Sequence, residues 1–331
     1  MVDPVSEADF KVMFLEDIPV VHIPVRLSVL EAVALKTKCQ QLLQKSSLSA
    51  KIIFDFEETT FIDSSGVGAL VSNHKLAREK GVEILLRSVT PQVMAVLAMT
   101  SLDKILNIEP LPVSAQPLTK GSENQLPTTH PSIRSWIKRV IDIVGGFVGL
   151  GITAMVFIPI FIAVQLDDPG PVFFSQTRLG WMGKPFRIWK FRSMYIDAEA
   201  RKHEIENQAD GKVFKNENDP RITGVGRFLR RTSLDELPQF WNVVRGEMSL
   251  VGTRPPTPNE VEIYEVPEWQ RLDVKPGMTG EWQVNGRSSV RKFEDIIQLD
   301  LRYQRNWSLL YDLKLIIKTI FIVFSKNSGA S

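Results

Sequence analysis

The chain has 331 residues, with 40 basic and 38 acidic side chains and a net charge of +2. That length suffices for about two domains, and the near-neutral balance argues against a nucleic-acid partner read from charge. A single cysteine, Cys39, excludes an internal disulfide framework, and the four histidines show no metal-ligand spacing.

Residues 1–15 carry acids and lack a basic-then-apolar order, so no secretory signal is expected. Strand and helix signals then alternate. "VVHIPVRL" and "KIIFDFE" are β-branched runs, and "LEAVALKTKCQQLLQ" places apolar residues at helical spacing. "FIDSSGVGALVSNHKLAREKG" reads as a helix opened by Asp63 or Ser64 and closed by Gly81. "VEILLRSV" supplies another strand, and a short helix starts near Thr90. With no phosphate loop and no paired acids beside a base, residues 1–109 read as a small α/β binding module that folds alone.

Composition changes beyond it. All seven tryptophans and all four tyrosines lie past residue 135. Residues 110–133 hold five prolines and little apolar content, which predicts an extended linker. After it, 24 uncharged residues run between Asp142 and Asp167, against the roughly 20 needed to cross a bilayer. Within this run "GLGITA" matches a dinucleotide fingerprint, but its glycines sit mid-run and not at a strand-to-helix turn, so packing is the better reading. Lys138 and Arg139 at the start of the run favour the cytoplasmic side, as do Arg178 and Lys184 after it. Pro159 removes a helical hydrogen bond inside it. A helix over 138–166 that enters the membrane and returns on one face is therefore expected.

Next come the basic stretches around Lys184, Lys190 and Arg192, and then "NDPRITGVGRFLRRTSLDELPQFWNVVRGEMSLVGTRP". Here Asp235 and Glu236 stand side by side behind Arg230 and Arg231. Adjacent carboxylates repel, so their placement needs a reason. Ser233 to Glu236 fits a capping box, while Pro238 fits better if Asp235 is the N-cap. Both local readings remain open. "LLYDLKLIIKTIFIVFSK" closes the chain as an apolar helix carrying Lys314 and Lys318 on one face, which suits a membrane surface.

Two resemblances follow. "TTFIDSSGVGALV" is similar to the STAS (anti-sigma-factor antagonist-like) domain over roughly residues 10–109. In that family the serine after the Asp is often phosphorylated, which makes Ser64 a candidate site and implies a protein partner or self-association. The blocks "KRVID", "DDPGPVFFSQTRLG", "WKFRSM", "NDPRITGVGRFLRRTSLDELPQFWNVVRGEMSLVG", "KPGMTGEWQVNGR" and "WSLLYDLKLIIKT" resemble, in order, a bacterial sugar transferase. The likeness covers about residues 134–325 of a domain expected over 134–331 and points to a monotopic phosphoglycosyl transferase. It implies an α/β fold with a re-entrant helix and interfacial helices at the cytoplasmic face of the inner membrane. It also implies transfer of a phosphosugar from a UDP-sugar to polyprenyl phosphate, with Mg²⁺, at the start of exopolysaccharide or glycoconjugate assembly. Asp235 would be the nucleophile and Glu236 its partner, both also ligands of the metal, with Arg230 and Arg254 on the phosphates. Two positions depart from the family pattern. Its Ser-Pro in the membrane helix is Ala154–Met155 here, and its "VGPRP" reads "VGTRP", with Thr253.

The chemistry suits these residues. A carboxylate can attack a diphosphate only if charge is neutralised, and arginines do so with bidentate contacts. A covalent phosphosugar on Asp splits one hard displacement into two easier ones. The competing reading is a membrane-held regulatory adaptor whose transferase part is an inactive scaffold, but a scaffold has no need of a repelling acid pair.

Overall fold

The computed structural model describes residues 10–44, 50–109, 127–201, 205, 216, 218–285 and 292–324. Two units emerge. The first comprises Met1–Thr129 with Met182–Lys184 and Tyr264–Asp273; the second comprises His130–Trp181, Pro185–Ile263 and Val274–Ser331. Most of the expected linker, residues 110–126, lies outside the described residues.

In the first unit the strands β1 (Val12–Leu15), β2 (Ile18–His22), β4 (Lys51–Asp55), β6 (Glu83–Arg87) and β7 (Asn107–Ile108) form one sheet in the order β1-β2-β4-β6-β7. The β1–β2 pair is antiparallel and the other pairs are parallel. Glu16 and Asp17 turn the hairpin with φ of 47° and 69°, as a two-residue turn of that twist requires. The run expected as one strand, "VVHIPVRL", divides into β2 and β3 (Arg26–Leu27), which pairs with β5 (Phe61–Ile62). Pro24 stands between them and has no N–H to give to a ladder.

Helices α1 (Val29–Leu43), α2 (Ser64–Glu79) and α3 (Pro91–Met99) connect the strands. Ser28 and Glu31 close a capping box at α1, with the Ser28 N–H donating to Glu31 Oε2 at 3.1 Å. Asp63 opens α2, accepting from the Gly66 N–H at 2.9 Å, and Gly81 follows its end at φ +69°. Thr90 precedes α3. The core between sheet and helices is aliphatic and aromatic: Leu35, Ile52, Phe54, Phe56, Leu70 and Leu86 are all buried.

The second unit opens with α4 (Pro131–Arg134) and α5 (Trp136–Asp167), followed by the antiparallel hairpin β8 (Phe173–Leu179) and β9 (Pro185–Phe191). Then come α6 (Gly224–Arg231), α7 (Gln239–Arg245), β10 (Ser249–Val251), α8 (Pro258–Val261), β11 (Gly277–Thr279), α9 (Glu281–Asn285), α10 (Phe293–Arg305) and α11 (Leu309–Phe324). Strands β10 and β11 run parallel.

Helix α5 contains 32 residues, about 48 Å at the α-helical rise, and continues through Pro159. One stripe of it is buried: Lys138, Asp142, Gly146, Gly149, Thr153, Ile160 and Val164. This spacing of mostly three or four residues marks a single helix face. A Cβ on Gly149 would lie 2.3 Å from the Phe240 ring, so this first glycine of the rejected fingerprint lets α7 approach closely, whereas Gly151 faces open space. Around the rest of the helix, Val144, Phe147, Val148, Ile152, Met155, Ile158 and Leu166 are exposed. An apolar surface of that extent is rare on a water-facing helix and suits lipid.

Helix α11 behaves similarly. Leu315 and Asp312 are buried, while Leu310, Leu313, Ile317, Ile320 and Phe321 form an exposed apolar stripe beside the exposed Lys314 and Lys318. That arrangement fits the interfacial reading and not a core helix.

Candidate active site

Neither local reading of the acid pair holds. Asp235 and Glu236 occupy a 3₁₀ turn, Leu234–Glu236, between α6 and α7. Ser233 makes no side-chain capping bond and has φ +57°, and the helix after the turn is preceded by Pro238. A left-handed serine costs about 1 to 3 kcal/mol, of the kind that accumulates at functional sites. The turn, not a helix cap, determines where the two carboxylates point.

Both acids line a cleft of about 630 Å³ within the second unit. Asp235 is 6% exposed. Glu236 is more open, and its Oε1 accepts from Lys190 Nζ at 2.9 Å. Lys190, Arg192 and Ser193 come from the end of β9 and the strand-like segment after it, Arg221 and Arg230 from the approach to α6 and from α6 itself, and Arg254 from the loop after β10. Of the basic residues in these stretches of sequence, Lys190, Arg192, Arg221, Arg230 and Arg254 line this cleft, whereas Arg227, Arg231 and Lys184 do not.

The cations are individually held. Arg230 Nε donates to Ser193 Oγ at 2.9 Å. Burial lowers the Arg230 pKa, and the charges of Asp235, Asp219 and Glu236 work against that loss. Arg221 grips Asp219 in a buried two-point pair, with Nε to Oδ1 at 2.9 Å and Nη2 to Oδ2 at 2.7 Å. Burial pushes the Asp219 carboxyl up, but the Arg221 guanidinium outweighs it and leaves its pKa below the ordinary value. Arg254 pairs with Glu260 at 2.9 Å and 3.3 Å. Thr253, where the family has proline, is buried and bridges to Pro276. Arg254 thus keeps its place without the proline.

Sequence reasoning missed the partners of these cations: Ser193, Asp219 and Glu260. Asp219 and Glu260 sit two and six residues from the arginines they hold, a spacing short enough to have suggested the pairs. Ser193 is contributed across the fold and left no local signal.

Asp235 and Glu236 were also the expected metal ligands. Among the described residues no group of three or more His, Cys, Asp or Glu converges on a point. Two adjacent carboxylates lining one cleft nevertheless fit Mg²⁺, which takes one or two protein carboxylates and completes its shell with water and substrate phosphates.

Ser64, in the first unit, is elsewhere in kind as well. It is fully buried, its N–H donates to Asp273 Oδ1 at 3.0 Å, and its Oγ lies 3.4 Å from Met182 Sδ. Asp63, not Ser64, caps the helix.

Comparison with known proteins agrees with this division. Residues 133–326 match the family described as bacterial sugar transferase, and residues 10–115 match the STAS domain. The galactosyl transferase CpsE of Streptococcus agalactiae is 49% identical over 189 residues, covering 56% of this chain and 42% of that protein. The UDP-glucose:undecaprenyl-phosphate glucose-1-phosphate transferase of Escherichia coli is 44% identical over 209 residues, covering 61% and 43%. The exopolysaccharide production protein ExoY of Rhizobium meliloti is 38% identical over 192 residues, covering 55% and 83%. The match thus spans less than half the length of the first two relatives and most of the third. With more than half of its residues inside the first match, the chain belongs to the bacterial sugar transferase family.

Proposed function

We propose that the chain transfers a sugar 1-phosphate from a UDP-sugar to polyprenyl phosphate at the cytoplasmic face of the inner membrane, as the first step of exopolysaccharide or glycoconjugate assembly. The observation that carries this reading is Asp235, a nearly buried carboxylate in a cleft with Lys190, Arg230 and Arg254. Relatives named as sugar-phosphate transferases acting on undecaprenyl phosphate support the same chemistry.

The Asp235 carboxylate attacks the phosphorus bearing the sugar. An O–P bond forms, the bridging P–O bond of the diphosphate breaks, and UMP leaves with the electron pair. A phosphate oxygen of the polyprenyl acceptor then attacks that phosphorus, forming the new diphosphate and returning Asp235 as a carboxylate. Glu236 receives the acceptor's proton where it carries one. Arg230 and Arg254 engage the phosphate oxygens, Arg230 exchanging the neutral Ser193 hydroxyl, and Arg254 the Glu260 carboxylate, for charge-assisted bonds to phosphate. Mg²⁺, held by Asp235 and Glu236, would supply further charge neutralisation.

The cytoplasmic one-sided placement draws on α5. Near its start, Lys138 donates to Val251 O and Asp312, and Asp142 accepts from Ser249 and the Leu250 N–H. Near its end, Ile160 and Val164 pack with Val172, Phe191 and Leu229. Both ends therefore rest on one catalytic unit, which a helix crossing a bilayer away from that unit cannot do. On this reading the helix enters one leaflet and returns on the same face, with Pro159 inside its continuous run.

The test is release of UMP from a panel of UDP-sugars by the full chain in detergent, with undecaprenyl phosphate present. Turnover with at least one sugar is expected. No release with any of them, from a folded protein, would refute the reading.

A further inference from the structure

One wall of the cleft is apolar. Phe173 and Phe174 at the start of β8 and Ile196 beyond β9 line it, and each is more than two-fifths exposed. A diphosphate and a sugar have no use for three exposed hydrophobic side chains. Nor do these residues belong to the hydrophobic core, where such side chains are buried.

The wall continues onto α5. Phe157 of α5 stacks on Phe173 with ring centroids 5.7 Å apart and planes at 15°, and Phe173 stacks on Phe191 at 5.4 Å and 18°. Phe161, one turn on and exposed, lies 6.1 Å from Phe157. Ile196 packs over the Gly170 backbone just past the helix, where an added Cβ would lie 2.7 Å from Ile196 Cδ1. The apolar surface of α5 thus continues through stacked rings to the cleft that holds Asp235.

We propose that this track, Phe161–Phe157–Phe173 with Phe174 and Ile196, is the binding site for the isoprenoid chain of the acceptor. The inference rests on the transfer reaction proposed above and adds where the lipid lies. An amphiphile is recognised by an apolar path that ends at cationic groups, and here the path ends at the cleft lined by Arg192 and Arg230. Its other end opens on the exposed face of α5, so the chain leaves membrane surroundings only over its first isoprene units. Each buried methylene stabilises by about 0.8 kcal/mol, so a few units suffice for selection of a lipid phosphate over a soluble one.

The experiment uses the full chain in detergent and a polyprenyl phosphate carrying a photoreactive group on an isoprene unit near its phosphate. Crosslinks mapping to the peptides with Phe173–Phe174 and Ile196, and lost on competition with undecaprenyl phosphate, are expected. Crosslinks confined to α11 or elsewhere would overturn the site. Phe174→Asn and Ile196→Asn, both at exposed positions, provide the second arm. Each is expected to raise the KM for undecaprenyl phosphate about tenfold, equivalent to about 1.4 kcal/mol, with the KM for the UDP-sugar little changed. Equal effects on both substrates, or none, would contradict the track. Crosslinking needs no turnover, so an inactive wild type would refute the reaction and still leave the lipid site decided.

Discussion

Lys138 and Asp312 meet in a buried ion pair, Nζ to Oδ2 at 2.6 Å, that ties the first turn of α5 to the first turn of α11. Tyr303 OH and Trp307 Nε1 also donate to the Asp312 carboxylate, at 2.9 Å and 3.1 Å. The two helices with the most exposed apolar surface are therefore joined by one polar network. Lys138→Met strips the charge that offsets Asp312, and removing one member of a buried pair costs about 3 to 5 kcal/mol. The low end is expected because two donors remain. Thermal unfolding in detergent should show Lys138→Met less stable than the double variant Lys138→Met/Asp312→Leu, which leaves no orphaned charge. A double variant at least as unstable as the single one would deny the network its role.

In the first unit, burial raises Asp63 to about 6, and burial with the Asp63 charge raises Asp273 to about 7. Glu31 and Arg26 also act on Asp63, one raising and one lowering it. Unfolded, each aspartate titrates near pH 4, at about 3.9. Between about pH 4 and 7 the folded unit therefore holds more protons than the unfolded chain. Its stability is full below that window and declines as pH rises through it. Hydrogen exchange of the amides at the start of α2 should accelerate from pH 5 to pH 8 beyond the intrinsic chemical rate. Asp273→Asn should flatten that response, and an unchanged response in this variant would contradict the assignment.

Ser64 lies against the same pair. Ser64→Glu would force a third carboxylate into a site with no exposure, and burying an unpaired charge is among the costliest substitutions. Loss of exchange protection over α2 and over Tyr264–Asp273 is expected, with Ser64→Ala far milder. If phosphorylation occurs at Ser64, it requires this region to open first. Equal protection in Ser64→Glu and wild type would show the site to be more accommodating than its packing.

Much of the first unit was legible because its signals are local. Asp63, Gly81 and Thr90 mark helix ends through capping chemistry, and β-branched runs mark β4 and β6. Less visible was the membership of Tyr264–Asp273, where Trp269 sits against Gly68 with only 2.5 Å to spare for a Cβ. Such long-range packing leaves no periodicity in either segment. A fragment ending at residue 109 lacks this segment, whose Trp269 packs on Gly68 and whose Asp273 accepts from the Ser64 N–H. In the second unit the acids and arginines were legible as a cluster. The turn that presents them was not, because Ser233 adopts a left-handed backbone that no glycine advertises.

Glu236 carries a distinct expectation from its neighbour. Glu236→Gln keeps the size of the side chain and its place near Lys190 but removes the charge and the base. General acid–base residues contribute about 10² to 10⁴ in rate. A fall of that order in kcat for transfer to undecaprenyl phosphate is expected. Wild-type kcat in this variant would remove Glu236 from the mechanism and leave its ion pair structural.

The nucleophile is tested most directly by intact-protein mass spectrometry of the full chain incubated with its UDP-sugar and no acceptor. Wild-type protein should gain the mass of one sugar phosphate, on the peptide containing Asp235, and lose it when undecaprenyl phosphate is added. Asp235→Asn should show neither adduct nor turnover, because an amide cannot form the acyl phosphate. An adduct of the same mass in Asp235→Asn, or near wild-type turnover by that variant, would contradict Asp235 as the attacking group.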